Sequence, residues 1–350
     1  EPVASVEQRL DFFDPNLGVY SFRFYRDQNS IQEIRMTDSY KKQLQKKIDF
    51  DLIRKSGIKI GHDPMYGAGK TILKQLLEDQ VAEIHGTPNP GFNGIPPEPI
   101  EKNLAGFVPF LSDNKCSIGI ANDGDADRIA MFDENGKYVD SHRILSLLLK
   151  YLHTEKELSG SVIKTFSTTD MLNKQAKAYD LPIEVTPIGF KYIAEKIITG
   201  DVLVGGEESG GIAVKDYIPE RDGIYIGLLI TEMVVKSGKS LSELIQDLYD
   251  EFGRHSYYRS DLHTENRKKE AMMEWCANKK ITHLDGEEVV SWEFTDGIKH
   301  KFEDGSWLLV RPSGTEPVLR IYSEAPTPEK AKRFVEEASE WVENPEILKD

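Results

Sequence analysis

Residues 117–132 read S-I-G-I-A-N-D-G-D-A-D-R-I-A-M-F, two short apolar runs enclosing a loop with a carboxylate at every second position, Asp123, Asp125 and Asp127. An extended or looped backbone sends alternate side chains to one side, so all three can converge on one point. Carboxylates gathered there repel one another unless a cation sits between them. An all-oxygen ligand set selects a hard ion, Mg2+ or Ca2+. Arg128 follows directly, which suits a site holding a metal and a phosphate together. The apolar runs 117–121 and 129–132 read as strands, and D-E-N-G at 133–136 as a hairpin turn.

The same alternation extends outward in both directions. Upstream, Thr37 or Asp38 can cap a helix to about residue 48, followed by a short helix at 50–55, a strand at 58–62, a loop at 63–70, a helix at 71–80 and a strand at 81–84. A Pro-rich passage, T-P-N-P-G-F-N-G-I-P-P-E-P, is a turn-laden loop. Downstream, helices at 143–152, 169–179, 192–198, 223–235 and 240–251 are interleaved with strands at 161–165, 183–186 and 202–205. These patterns predict two α/β domains, 37–140 and 141–255, without internal sequence repeat but of related plan. Residues 256–350 change class. A helix at 265–278, strands at 289–294, 299–302, 307–310 and 319–323, and a helix at 328–342 predict an α+β domain with one sheet. Residues 1–36 show no readable period and are assigned no element.

Composition narrows the function. At 350 residues the chain is too long for one ordinary core. Its net charge of -15 disfavours nucleic acid or an anionic membrane as a bulk partner, so any phosphorylated ligand needs a local positive patch. The two cysteines, Cys116 and Cys276, are far apart and form no CxxC, which fits a reducing cytoplasm. No apolar stretch is long enough to span a membrane.

Three further loops carry chemistry. G-G-E-E-S-G-G-I at 205–212 ends a buried strand; its glycines let a backbone approach a ligand, and Glu207 and Ser209 suit sugar hydroxyls. R-P-S-G-T-E-P at 311–317 has the make-up of a phosphate clamp, with Arg311 and Arg320 for charge, Ser313 and Thr315 for hydroxyls, and N–H groups around Gly314 for a nest. T-P-I-G-F-K at 186–191 places Lys191 one strand before the glycine-rich loop, as a phosphate ligand or proton donor. Two motifs compete with these. The acidic loop resembles an EF-hand by spacing, but Arg128 stands where calcium loops need glycine. P-M-Y-G-A-G-K-T at 64–71 resembles a Walker A loop with Lys70 as its lysine, but Pro64 stands where that motif needs glycine and has no N–H to give a phosphate.

Taken in order, D-G-D-A-D-R, T-P-I-G-F-K, G-G-E-E-S-G-G and R-P-S-G-T-E-P resemble the α-D-phosphohexomutase superfamily, the phosphoglucomutase/phosphomannomutase enzymes, over residues 37–345. The resemblance implies four domains around one cleft, three of them related α/β units and the last a TATA-binding-protein-like sheet. It implies that Asp123, Asp125 and Asp127 bind Mg2+, that Glu207 and Ser209 hold sugar hydroxyls, and that Arg311, Ser313, Gly314, Thr315 and Arg320 grip the idle phosphate of a hexose phosphate. By the same resemblance Arg128 would lie beside the transferring phosphoryl group, and Lys191 would contact the ligand. The family's phosphoserine loop, of the type T-A-S-H-N-P, has no counterpart here; D-S-H-R at 140–143 reads as a helix cap. The expectation is a phosphohexomutase body lacking the first domain, residues 1–36 being its remnant or replacement, inactive alone and partnered by that domain. The alternative is a non-catalytic module that binds sugar phosphate or metal.

Overall fold

The computed structural model describes residues 20–32, 34, 36–313 and 317–344. The chain divides into two units, residues 1–43 and 44–350. In the first, Ser21 caps a short helix, Phe22–Asp27, by accepting the Phe24 N–H at 3.2 Å. Sequence periodicity missed this helix because it buries no face; Phe22 and Phe24 are both exposed. A longer helix, Met36–Lys47, starts one residue before its expected cap and runs into the second unit, where it buries Leu44.

The second unit contains two α/β sheets of one plan. The first comprises β1 (Ile60–Asp63), β2 (Val81–Glu83), β3 (Ile118–Asn122), β4 (Ile129–Phe132) and β5 (Tyr138–Val139), in the order β2-β1-β3-β4-β5. β2, β1 and β3 are parallel, and β4 returns antiparallel to β3. The second sheet comprises β6 (Ser161–Thr165), β7 (Ile183–Thr186), β8 (Val202–Gly206) and β9 (Ile212–Val214), in the order β7-β6-β8-β9 with the same directions. The acidic loop joins β3 to β4 and the glycine-rich loop joins β8 to β9, so the two loops occupy equivalent places. β1, β3 and β8 are buried throughout, as expected of strands covered on both faces.

The helix Gly223–Ser237 packs against β3, β4 and β9. Small residues set its approach. A Cβ on Gly223 would lie 2.3 Å from the Arg128 carbonyl oxygen, and one on Gly227 would lie 3.0 Å from Ile120. Asp222 caps this helix by accepting the Tyr225 N–H at 2.9 Å. Asp140 caps the helix Ser141–Lys150 in the same way, as the sequence suggested. The helix Phe107–Asp113 escaped the sequence reading because it is short, follows a Pro-rich passage and contains Pro109.

The C-terminal sheet is antiparallel, in the order β10 (Ser256–His263), β16 (Val318–Ala325), β15 (Trp307–Pro312), β14 (Ile298–Lys301), β13 (Ser291–Glu293). β10 was not foreseen: S-Y-Y-R-S-D-L-H is too polar to stand out as a strand. Nor was the small hairpin of β11 (His283–Leu284) and β12 (Glu287–Glu288). One sheet face packs on the helices Asn266–Ala277 and Pro328–Glu343 through Leu308, Val310, Leu319, Ile321 and Phe334. The other meets the second α/β sheet, where Phe166 joins Trp307, Leu309 and Tyr322 in one core.

Charges are buried in that junction. Glu324 Oε1 accepts the Asp170 N–H at 2.9 Å, pairs with His255 Nδ1 at 2.8 Å and accepts Trp307 Nε1–H at 3.3 Å. The Asp170 carboxylate pairs with Lys164 at 2.6 Å and Lys301 at 3.1 Å. Burial pushes this carboxyl up, but Lys164, Lys299 and Lys301 outweigh it and hold it well below the ordinary carboxylate range. Lys299, between the rings of Trp307 and Phe166, is pushed down to about 7 by burial. A carboxyl depressed on folding stabilises above its unfolded pKa and loses that contribution as pH falls through its folded value. Asp170→Asn should therefore lower stability at pH 7 and flatten the acid limb of a urea-unfolding series below about pH 4.

Candidate active site

The acidic loop is closed at its base by Asn122, whose Nδ2 donates to the Arg128 carbonyl at 2.9 Å, and by Asp123, whose Oδ1 accepts the Arg128 N–H at 3.0 Å. One carboxylate oxygen each from Asp123, Asp125 and Asp127 then lies within 4.8 Å of the others. Asp123 is buried, and desolvation, with Asp127 and Asp125 beside it, pushes its carboxyl up to about 6. Asp127 Oδ1 is buried with no hydrogen-bond partner among the described residues. Clustered oxygens, charge that the protein only partly neutralises and an orphaned acceptor fit a hard divalent cation, Mg2+ above all. The loop leads into β4 rather than an exit helix, which removes the EF-hand reading.

The Walker-like stretch supports this loop from outside. Ala68 N–H donates to the Gly124 carbonyl at 2.9 Å, and a Cβ on Gly67 would lie 2.4 Å from that oxygen. Four of its other N–H groups are engaged locally: Met65 on Asp63, Tyr66 on the His85 carbonyl, Gly67 on the Pro64 carbonyl, Thr71 on Glu83. Backbone donors so occupied cannot cradle a phosphate.

The glycine-rich loop lies directly against the acidic one. Arg128 and Gly211 form an antiparallel bridge, and Ile129 N–H donates to the Gly210 carbonyl at 3.2 Å. Gly210 has φ +96°, and a Cβ there would lie 2.6 Å from the Ile129 carbonyl oxygen. Its freedom serves loop-to-loop contact, where the sequence suggested approach to a ligand. Glu207 is buried and pushed up to about 7 by desolvation and by Glu208. Ser209 is half-buried in the same turn.

A residue that sequence reasoning missed joins the two loops. Arg221 Nη2 pairs with Asp127 Oδ2 at 2.6 Å and Nη1 lies 3.8 Å from Glu207 Oε2, while the guanidinium sits 5.2 Å from the Phe190 ring centroid. A basic residue one position before a helix cap, in R-D-G at 221–223, was its only signal. Arg128 Nε lies 3.5 Å from Asp123 and 3.8 Å from Asp127. Lys191, next to Phe190, is exposed, with its Nζ 4.9 Å from the Tyr192 ring centroid.

The third patch comes from the C-terminal sheet. Arg311 and Arg320 are cross-strand partners, and Asp261 is opposite Arg320 on its other side. Like charges opposite one another are unfavourable unless acids or an anion compensate. Arg311 Nε donates to Asp296 Oδ1 at 2.9 Å, and Asp296 Oδ2 accepts the Ile188 N–H at 2.9 Å. The backbone N–H of the next residue, Gly189, offsets part of the rise in the Glu207 carboxyl. Contacts thus run from Arg311 through Asp296 to Ile188, and from Glu207 through Arg221 to Asp127, with Gly189 between the two sets. Ser313 is buried and its N–H donates to the Val318 carbonyl at 2.9 Å. Gly314 and Thr315 lie outside the described residues. Arg259, on β10 and also unforeseen, holds Asp261 through two bonds of 2.8 and 2.6 Å and lies 3.4 Å from Glu208.

Residues 38–136, 140–252 and 263–340 match domain II, domain III and the C-terminal domain of phosphoglucomutase/phosphomannomutase. The chain belongs to this family. It is 32% identical over 324 residues to a phosphoglucomutase/phosphomannomutase of Thermococcus kodakarensis, covering 91% of this chain and 68% of that protein. It is 31% identical over 292 residues to a phosphoglucosamine mutase of Caldicellulosiruptor saccharolyticus, covering 82% and 61%. Among solved structures, a putative phosphomannomutase from Thermus thermophilus superposes with a TM-score of 0.76 at 32% identity, covering 89% of this chain and 67% of the other. The chain spans about two thirds of the length of these relatives. The described residues include no helix long and apolar enough to cross a membrane.

Asp125 is exposed, and its side chain makes no hydrogen bond or ion pair among the described residues, so Asp125→Ala should abolish Mg2+ binding in calorimetry while leaving the circular dichroism spectrum unchanged. Because Asp123 must give up its proton to bind a cation, added Mg2+ should raise the Tm at pH 7.5 and do so much less at pH 5, below its value of about 6.

Proposed function

We propose that residues 44–344 are the metal-, sugar- and phosphate-binding body of a phosphohexomutase, which moves a phosphoryl group between two hydroxyls of a hexose through a bisphosphate intermediate. The contacts that lead from Asp127 toward Arg311 support this reading, because a hard-cation site and a phosphate clamp would then lie at the two ends of one polar surface. Asp123, Asp125 and Asp127 would hold Mg2+, which supplies charge stabilisation to a phosphoryl group in flight.

The chain's own residues supply the rest. Arg128 and Arg221 flank the aspartates and offer N–H donors to phosphoryl oxygens. Glu207 and Ser209 take sugar hydroxyls. A carboxyl titrating at about 7 both accepts and donates hydrogen bonds near neutrality, which suits a sugar presented in two orientations. Arg311 and Arg320, with Ser313, Gly314 and Thr315, anchor whichever phosphate is idle. Lys191 is the candidate for moving a proton on and off the accepting hydroxyl, a task closed to Arg221, which stays charged. No T-A-S-H-N-P-type loop lies within these 350 residues, and on this reading the phosphoryl group comes from a phosphoserine loop outside them. We place the domain boundaries near residues 140 and 255, and the preferred sugar is glucose by motif resemblance.

Purified alone, the 350-residue chain should bind glucose 1-phosphate in calorimetry yet show no conversion to glucose 6-phosphate. Turnover restored by an added N-terminal domain supports the mutase; binding without rescue supports the non-catalytic module. Arg311→Ala removes a charged hydrogen bond to phosphate and should weaken glucose, mannose and glucosamine phosphates alike, by roughly tenfold or more. A loss confined to one sugar contradicts the assignment.

A further inference from the structure

Behind the acidic loop, a row of buried polar groups crosses three neighbouring strands. Glu83 on β2, His62 on β1 and Asn122 at the end of β3 are linked side chain to side chain: Glu83 Oε2 lies 3.0 Å from His62 Nδ1, and His62 Nε2 lies 3.2 Å from Asn122 Oδ1. The His62 and Asn122 side chains have no exposure at all. Asn122 Nδ2 donates to the Arg128 carbonyl, the bond that closes the loop. A Cβ on Gly223 would lie 2.5 Å from that Nδ2 and 2.3 Å from that carbonyl, so the helix start seals the bond from water.

The donor and acceptor roles are determined. The Arg128 carbonyl only accepts, so the Asn122 amide must turn its NH2 there and its oxygen to His62. Flipping the amide would set two carbonyl oxygens against each other. Glu83 Oε2 already accepts the Thr71 N–H at 2.8 Å. That oxygen, already accepting one backbone N–H, turns its remaining lone pair to His62 Nδ1, so it is an acceptor there too. Both ring nitrogens of His62 therefore face acceptors, and both must carry hydrogen. The other titratable or charged groups nearby are Asp63, adjacent on β1, His85, which lies 3.0 Å from the Asp63 carboxylate, and Lys74, whose charge acts on Glu83.

We propose that His62 is held as an imidazolium that donates to Glu83 and Asn122 at once, and that it thereby positions the loop bearing Arg128 and the three aspartates. It touches neither metal nor substrate, so it is a positioning residue acting through Asn122. Only the functional consequence rests on the phosphohexomutase reading. The protonation state rests on hydrogen bonding alone.

Two measurements test it. Long-range 1H–15N spectra of the labelled 350-residue chain at pH 7 should show both His62 ring nitrogens protonated; one pyridine-type nitrogen overturns the proposal. Mg2+ titrations should then compare the wild type with His62→Leu, Asn122→Leu and the double variant, each checked for folding by circular dichroism. His62→Leu should weaken Mg2+ by about tenfold, the scale of one charge-assisted hydrogen bond, with no further loss in the Asn122→Leu background. Unchanged affinity in a folded His62→Leu chain, or losses that multiply, overturns the positioning role. Should the wild type bind no Mg2+ at all, the metal reading fails, while the nitrogen spectra still decide the state of His62.

Discussion

Two loops from different sheets are held together by backbone pairing, and the whole site depends on that pairing. Arg128 ends the acidic loop and Gly211 ends the glycine-rich one; they bridge as if β4 and β9 briefly shared a sheet. Because the two sheets have the same strand order and directions, each presents its functional loop at the same place, the turn into its antiparallel return strand. The bridge converts that equivalence into contact. It brings Glu207 within reach of an arginine that also grips Asp127, and it explains why a glycine follows Ser209: a side chain at Gly210 would strike the Ile129 backbone.

Charge arranges itself around that contact in a way net composition cannot predict. The chain carries -15 overall, yet five arginines gather along this surface: Arg128, Arg221, Arg259, Arg311 and Arg320. Arg128, Arg221, Arg259 and Arg311 sit beside carboxylates, Asp127, Asp261 and Asp296 among them, so these guanidinium groups are oriented before any ligand arrives. Preoriented donors cost less reorganisation when a phosphate binds. The buried Lys164–Asp170–Lys301 pairs and Glu324 play a different part. They tie the second α/β sheet to the C-terminal sheet, and with it the distance between the Glu207 loop and Arg311.

Much of this was legible in the sequence where chemistry and periodicity coincide. The acidic triad, the strands on either side and the two α/β units follow from alternating carboxylates, apolar runs and caps. What escaped did so for physical reasons. Arg221 reaches the site from the residue before a helix cap, and Asp296 from a turn between β13 and β14; their partners are distant in sequence, so local pattern carries no trace of them. β10 is half polar because one of its faces looks toward other charged groups, which hides its alternation. The Walker-like stretch misleads for the opposite reason. Gly67 is a real structural requirement, but it admits the Gly124 carbonyl instead of a phosphate.

The account stands on the metal site and the arginine clamp addressing one ligand. Crystals of the chain grown with Mn2+ and a hexose phosphate, with diffraction measured at the manganese edge, test this most directly. The anomalous peak should fall among the carboxylates of Asp123, Asp125 and Asp127, with the sugar beside Glu207 and its phosphate between Arg311 and Arg320. A peak elsewhere, or a phosphate bound away from those arginines while the metal sits among the aspartates, would contradict it.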